Sequence, residues 1–121
     1  MGQTIFERYG GFAIMRKFVS AFYDKVLDSP TLEPYFESVD MRRQIEHQTQ
    51  FVSQLTGGPA SYTDEQLRRV HQRLNISRAH YAELIGLFEE TLEDFEFERA
   101  DIEFLMSKLR ELESHIVAHV D

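Results

Sequence analysis

The chain contains no cysteine and no tryptophan. The first absence excludes a disulfide framework and any thiolate-bound metal, so a metal here would be held by nitrogen or oxygen. It also agrees with a reducing setting, and we expect a cytoplasmic protein. Positive charge is scarce: 13 Lys and Arg stand against 21 Asp and Glu, for a formal net charge of −8. That balance argues against nucleic acid or an anionic membrane surface as a partner. No apolar run approaches the roughly 20 residues that a membrane span needs, and Met1 to Gly11 lacks the basic and apolar regions of a signal peptide. What is abundant is the aromatic ring, with ten Phe and five Tyr in 121 residues. They could line an aromatic core or a flat apolar pocket, and composition does not separate the two.

The length predicts one domain over residues 1–121, with no internal repeat. Its periodicity is helical nearly throughout. Thr4 and Glu7 form a capping box for a short first helix that ends at Gly10 and Gly11. Phe18, Val19, Phe22, Tyr23, Val26 and Leu27 give a buried stripe that Ser29 and Pro30 stop. Residues 31–40 allow a turn or two. Asp40 is an N-cap for a helix over Met41 to Leu55, which "TGGPAS" ends. Thr63 and Gln66 box a short helix carrying Leu67, Val70 and Leu74. Ser77 caps a long helix with Tyr81, Leu84, Ile85, Phe88, Leu92 and Phe95, and a last helix carries Ile102 through Ile116. The fold class is all-α, with four substantial helices. The acidic stretch "FEETLEDFEFERADIE" reads as a solvated face.

Polar side chains on inward faces are the chemical signal. His71 falls on the Leu67/Val70 stripe. At about 100° per residue, Gln44, Gln48, Phe51 and Leu55 cluster within roughly 60° of one another. Tyr23 sits among the apolar residues of the second helix. Each has an ordinary reading: a satisfied core histidine, a tyrosine reaching a carbonyl, glutamines at a wet edge. Taken together they describe a pocket with one imidazole ligand, rings around a flat apolar group, and several donors opposite.

Several spaced motifs then carry a family resemblance over about Thr4 to Ile116. They are "IFERYGG", "AFYDKVL", "PYFESVDM", "MRRQIEHQTQF", "LTGGP" and "RRVHQ". In this order and spacing the chain resembles a group 1 truncated haemoglobin, a two-over-two helical globin around haem. The resemblance implies haem b as cofactor, with His71 as the proximal iron ligand. It implies Tyr23, Gln44 and Gln48 as donors to a bound gas, because a polarised ligand is stabilised by aligned O–H and N–H groups. Phe36, Phe51, Leu55, Leu67, Val70, Ile76, Tyr81 and Phe88 would line the haem. "QIEHQ" also matches cyanobacterial members in which the histidine, here His47, binds iron from the distal side. Helical geometry pulls the other way, since His47 lies roughly 70° from the centre of the glutamine face. On the motif, His47 is expected as the second axial ligand of a six-coordinate iron, the alternative being a place at the haem edge near a propionate. The interval between His71 and Tyr81 departs from the cyanobacterial length and resembles the mycobacterial type. His115 does not fall convincingly where some members link haem covalently, and His115 with His119 reads as an exposed pair at the chain end.

The resemblance implies reversible binding of O₂, NO or CO by a monomer, with NO oxidation to nitrate, supported by a separate reductase, as the chemistry if the protein turns over. The alternative is a bis-histidyl electron-transfer or redox-sensing haem protein. A helical interaction module without cofactor is the third reading.

Overall fold

The computed structural model describes residues 3–58 and 76–113. Their regular elements are all helical: α1 (Ile5–Arg8), α2 (Gly11–Asp28), a 3₁₀ turn (Glu33–Phe36), α3 (Met41–Leu55), α4 (Arg78–Asp94) and α5 (Arg99–Glu111). The expected ligand His71, the lining residues Leu67 and Val70, and the terminal His115 and His119 lie outside the described residues.

The caps form where the sequence puts them. Thr4 Oγ1 accepts from the Glu7 N–H while the Glu7 carboxylate accepts from the Thr4 N–H, closing the capping box of α1. Gly10 follows at φ +112°, where a Cβ would also strike Ile14, so the tight break into α2 needs glycine. Asp40 accepts from the Arg42 N–H to start α3, and Ser77 accepts from the His80 N–H to start α4.

Packing follows the stripes. Met15, Phe18, Val19, Phe22, Tyr23 and Val26 of α2 are buried, and α2 packs against both α3 and α4. Leu27, assigned to the same stripe, is 38% exposed. Helices α4 and α5 pack together as a second pair, through Phe88 and Leu92 on one and Ile102, Leu105, Met106 and Leu109 on the other. Edge-to-face rings join the pairs, with Phe18 against Phe88 at 4.9 Å and Phe22 against Phe88 at 5.4 Å.

The acidic stretch is more than a solvated face. It breaks at Phe95 to Glu98, with Glu96 in the left-handed region at φ +59°. Phe97 turns inward and stacks on Tyr9 at 3.9 Å. Asp101 accepts from Arg8 and from the Tyr9 hydroxyl, each at 2.7 Å, and the Tyr9 oxygen accepts from the Glu98 N–H. These bonds latch α1 to the start of α5. The Arg8 guanidinium, helped by Tyr9, holds the Asp101 carboxyl below its ordinary pKa. A depressed carboxyl contributes stability above its unfolded-state pKa and loses it as pH falls through the folded value. Asp101→Asn is therefore expected to cost up to about 1 kcal/mol at neutral pH, the upper end for an ion pair screened by solvent. Urea titrations of the two proteins should differ at pH 7 and converge below the carboxylate range. A gap that persists at acid pH would assign the cost to packing instead.

Candidate ligand pocket

A cavity of about 470 Å³ of empty space, counted out to its mouth, opens among α2, the 3₁₀ turn, α3, α4 and α5. Its walls are Phe22, Tyr23, Phe36, Gln44, Gln48, Phe51, Tyr81, Leu84, Ile85, Phe88 and Leu109. Six of these eleven side chains carry aromatic rings, and only Tyr23, Gln44, Gln48 and Tyr81 bring polar atoms. A largely apolar enclosure with a few convergent polar groups is the general form of a small-ligand or cofactor site.

Tyr23 reaches the wall from the middle of α2 and is only 4% exposed. Phe22 and Phe36 meet its ring edge-on at 5.1 and 5.6 Å, which fixes the ring plane. Gln44, one turn into α3, donates from Nε2 to the Tyr23 hydroxyl oxygen over 3.1 Å. Burial pushes the phenol well above its ordinary range, so the hydroxyl keeps its proton. With the oxygen already accepting from Gln44, that proton is the group's remaining polar resource. Gln48, one turn further along α3, is buried on the same wall.

Tyr81 presents its ring to the cavity but not its hydroxyl, which donates to the Leu109 carbonyl at 2.5 Å. Burial and the nearby Glu113 carboxylate raise its pKa as well. Tyr81 thus acts as an apolar wall, tied across α4 and α5.

The structure brings together Tyr23, Gln44, Gln48, Phe36, Phe51, Tyr81 and Phe88 of the predicted residues. Leu55 and Ile76 pack into the surrounding core but do not line the cavity. His47 is exposed and not on the cavity wall. The reason is helical: it sits one residue before Gln48, about 100° around α3. To serve as a second axial ligand it would require the first turns of α3 to rotate inward. Phe22, Leu84, Ile85 and Leu109 were not predicted as lining. The first neighbours Tyr23, and Leu84 and Ile85 share a stripe with Phe88, so helical periodicity could have supplied three of the four.

No group of three or more His, Cys, Asp or Glu able to hold a metal occurs among the described residues. The cavity suits a flat, apolar group whose metal is bound from elsewhere: rings surround it, and three hydrogen-bonding side chains converge at one side. No helix of the described residues is long and apolar enough to cross a membrane.

Proteins similar to this chain in sequence and in shape are truncated haemoglobins. The bacterial-like globin profile matches residues 4–118. A group 1 truncated haemoglobin of Tetrahymena pyriformis is 34% identical over 92 residues, which is 76% of this chain and 76% of its own. The crystal structure of truncated haemoglobin from that organism, in its Fe(III) form, gives a TM-score of 0.85 at 28% identity, covering 97% of this chain and 100% of the other. The group II truncated haemoglobin from Bacillus anthracis gives 0.84 at 28% identity, covering 100% and 95%.

Proposed function

Since the chain belongs to the bacterial-like globin family, as a group 1 truncated haemoglobin that binds haem iron and small gas ligands, we propose that Tyr23, Gln44 and Gln48 form the gas-binding side of its haem pocket. His71 is the proximal ligand in this reading. When bound, haem iron supplies the coordination site for O₂, NO or CO.

One observation carries the assignment: the Gln44 amide donates to the Tyr23 oxygen in an otherwise ring-lined cavity. A phenol that already accepts one hydrogen bond is directed to spend its own proton elsewhere, and the cavity is the space it faces. Its raised pKa keeps it a donor at every working pH. A donor aimed at a partly negative diatomic is worth more inside an apolar enclosure than in water. Phe36, Phe51 and Phe88 exclude water and give the apolar faces on which a macrocycle stacks. NO oxidation to nitrate, with electrons from a separate reductase, is the turnover such a pocket supports, because it holds a polar diatomic away from solvent.

The exposed position of His47 favours reversible gas binding over the bis-histidyl reading. Hemin-reconstituted protein, reduced anaerobically, is expected to show a five-coordinate, high-spin spectrum at neutral pH and to bind CO at a rate linear in CO concentration. A six-coordinate, low-spin spectrum that reverts to high-spin in His47→Leu would establish instead that α3 turns His47 onto the iron. Protein that takes up no hemin would refute the function as a whole.

A further inference from the structure

Tyr35 and His80 meet outside the cavity. Tyr35, in the 3₁₀ turn, is half-buried, and its hydroxyl lies 2.5 Å from Nδ1 of His80 in the first turn of α4. The rings are edge-on at 5.5 Å. The next residue, Phe36, lines the cavity, and Tyr35 itself packs against the Ile76/Tyr81 pair whose tyrosine forms a cavity wall. Tyr35 is therefore one layer of side chains away from the pocket, with part of its surface in solvent.

Loss of an electron from a phenol makes its proton strongly acidic, so a tyrosine gives up an electron readily only where a base stands ready to take that proton. A neutral imidazole is such a base, since Nδ1 accepts when Nε2 carries the hydrogen. The other described tyrosines lack this arrangement. Tyr23 faces an amide donor, and Tyr81 donates to a backbone carbonyl. Tyr9 donates to Asp101, whose basicity Arg8 lowers. Nothing in the gas-binding role uses the Tyr35–His80 pair.

We propose that Tyr35 and His80 form a proton-coupled electron relay between the haem pocket and solvent, serving the two-electron reduction of hydroperoxides by one-electron donors. The inference rests on the haem reading above. In the step, a hydroperoxide takes up two electrons and two protons from solvent, its O–O bond breaks, and an alcohol (or water) and a water form. Bound haem would supply one of these electrons; Tyr35 supplies the other, and its phenolic proton passes to His80 Nδ1. A small phenol or enediol at the surface then returns an electron to Tyr35 while the proton moves back from His80. A second donor molecule would return the electron that the bound cofactor supplied. The net reaction consumes one hydroperoxide and one hydrogen atom from each of two donors.

The test is freeze-quench electron paramagnetic resonance on haem-loaded ferric protein mixed with hydrogen peroxide, with haem loading read separately from the Soret band. Wild type and Tyr9→Phe, altered away from the cavity, should give a tyrosyl signal that Tyr35→Phe loses. In His80→Gln the radical should form slower by about 10²-fold, the low end of what a positioned base contributes. That variant keeps the N-cap of α4, because Ser77 accepts from the backbone N–H of residue 80. A parallel arm uses photogenerated ruthenium(III) tris-bipyridine as oxidant, so the pair is tested even if haem uptake fails. A signal undiminished in Tyr35→Phe, or no tyrosyl signal from wild type under either oxidant, would overturn the relay. A His80→Gln rate equal to wild type would remove the histidine from it.

Discussion

Apo-protein carrying His71→Ala is expected to bind hemin at least about 100-fold more weakly than the parent and to surrender it quickly to an acceptor apoglobin. The magnitude is bounded from below. Removing only the group that orients a ligand histidine typically costs about 10–100-fold in metal affinity, and here the ligand itself would go. The other described histidines are poorly placed to replace it: His47 is exposed and off the cavity wall, and His80 is engaged by Tyr35. What survives is burial of the macrocycle among Phe36, Phe51 and Phe88, so residual uptake should remain but without an axial imidazole signature. Hemin titration followed by absorption measures both quantities. Parental affinity with an unchanged axial signature in His71→Ala would move the ligand role to another residue.

The second large effect concerns Tyr23. A hydrogen bond to a partly charged ligand contributes about 1.5–3 kcal/mol, and each 1.4 kcal/mol is about tenfold. O₂ should therefore leave Tyr23→Phe roughly 10- to 100-fold faster, measured by stopped-flow displacement with CO. Dissociation of CO itself, less polar when bound, should change far less. The geometry adds a condition on the pair. Gln44 donates to the Tyr23 oxygen, so it acts on the gas through the tyrosine while the tyrosine is present. In Tyr23→Phe that amide is released and can donate directly, recovering part of the loss. Gln44→Leu alone should accelerate O₂ release less than Tyr23→Phe. The double variant should be faster than the product of the two single effects. Strict multiplicativity would show that the two side chains act separately.

Why some of this was legible in the sequence and some was not comes down to the range of the interactions involved. Thr4, Asp40 and Ser77 were readable as caps because each bonds within three residues of itself. The Tyr23/Gln44/Gln48 convergence was half readable: helical spacing placed the two amides on one face, but that this face meets Tyr23 is a tertiary fact that only the family motifs anticipated. His47 shows where pattern and geometry part, since a motif records which residue type stands at a position and not which way the helix is turned. Leu55 and Ile76 were assigned to the cavity because apolar residues beside a site look alike in sequence whether they face it or back it. The pairs Tyr9–Asp101 and Tyr35–His80 had no local signature at all. Their partners are 92 and 45 residues apart, and nothing in the composition of either segment announces the other.

The latch between α1 and α5 bears on the order in which the chain assembles. Tyr9 and Asp101 close a loop spanning 92 residues, and the Phe6 N–H reaches the Thr56 carbonyl across another long interval. Bringing chain ends together over 92 residues costs about 4 kcal/mol of loop entropy by the logarithmic law, which a handful of half-exposed polar bonds cannot repay while the intervening chain is still loose. The cost falls away once α2, α4 and α5 have condensed around Phe18 and Phe88, because those contacts already hold the two ends near each other. The four-residue α1 is therefore expected to dock late, and loosening its latch should speed unfolding far more than it slows refolding.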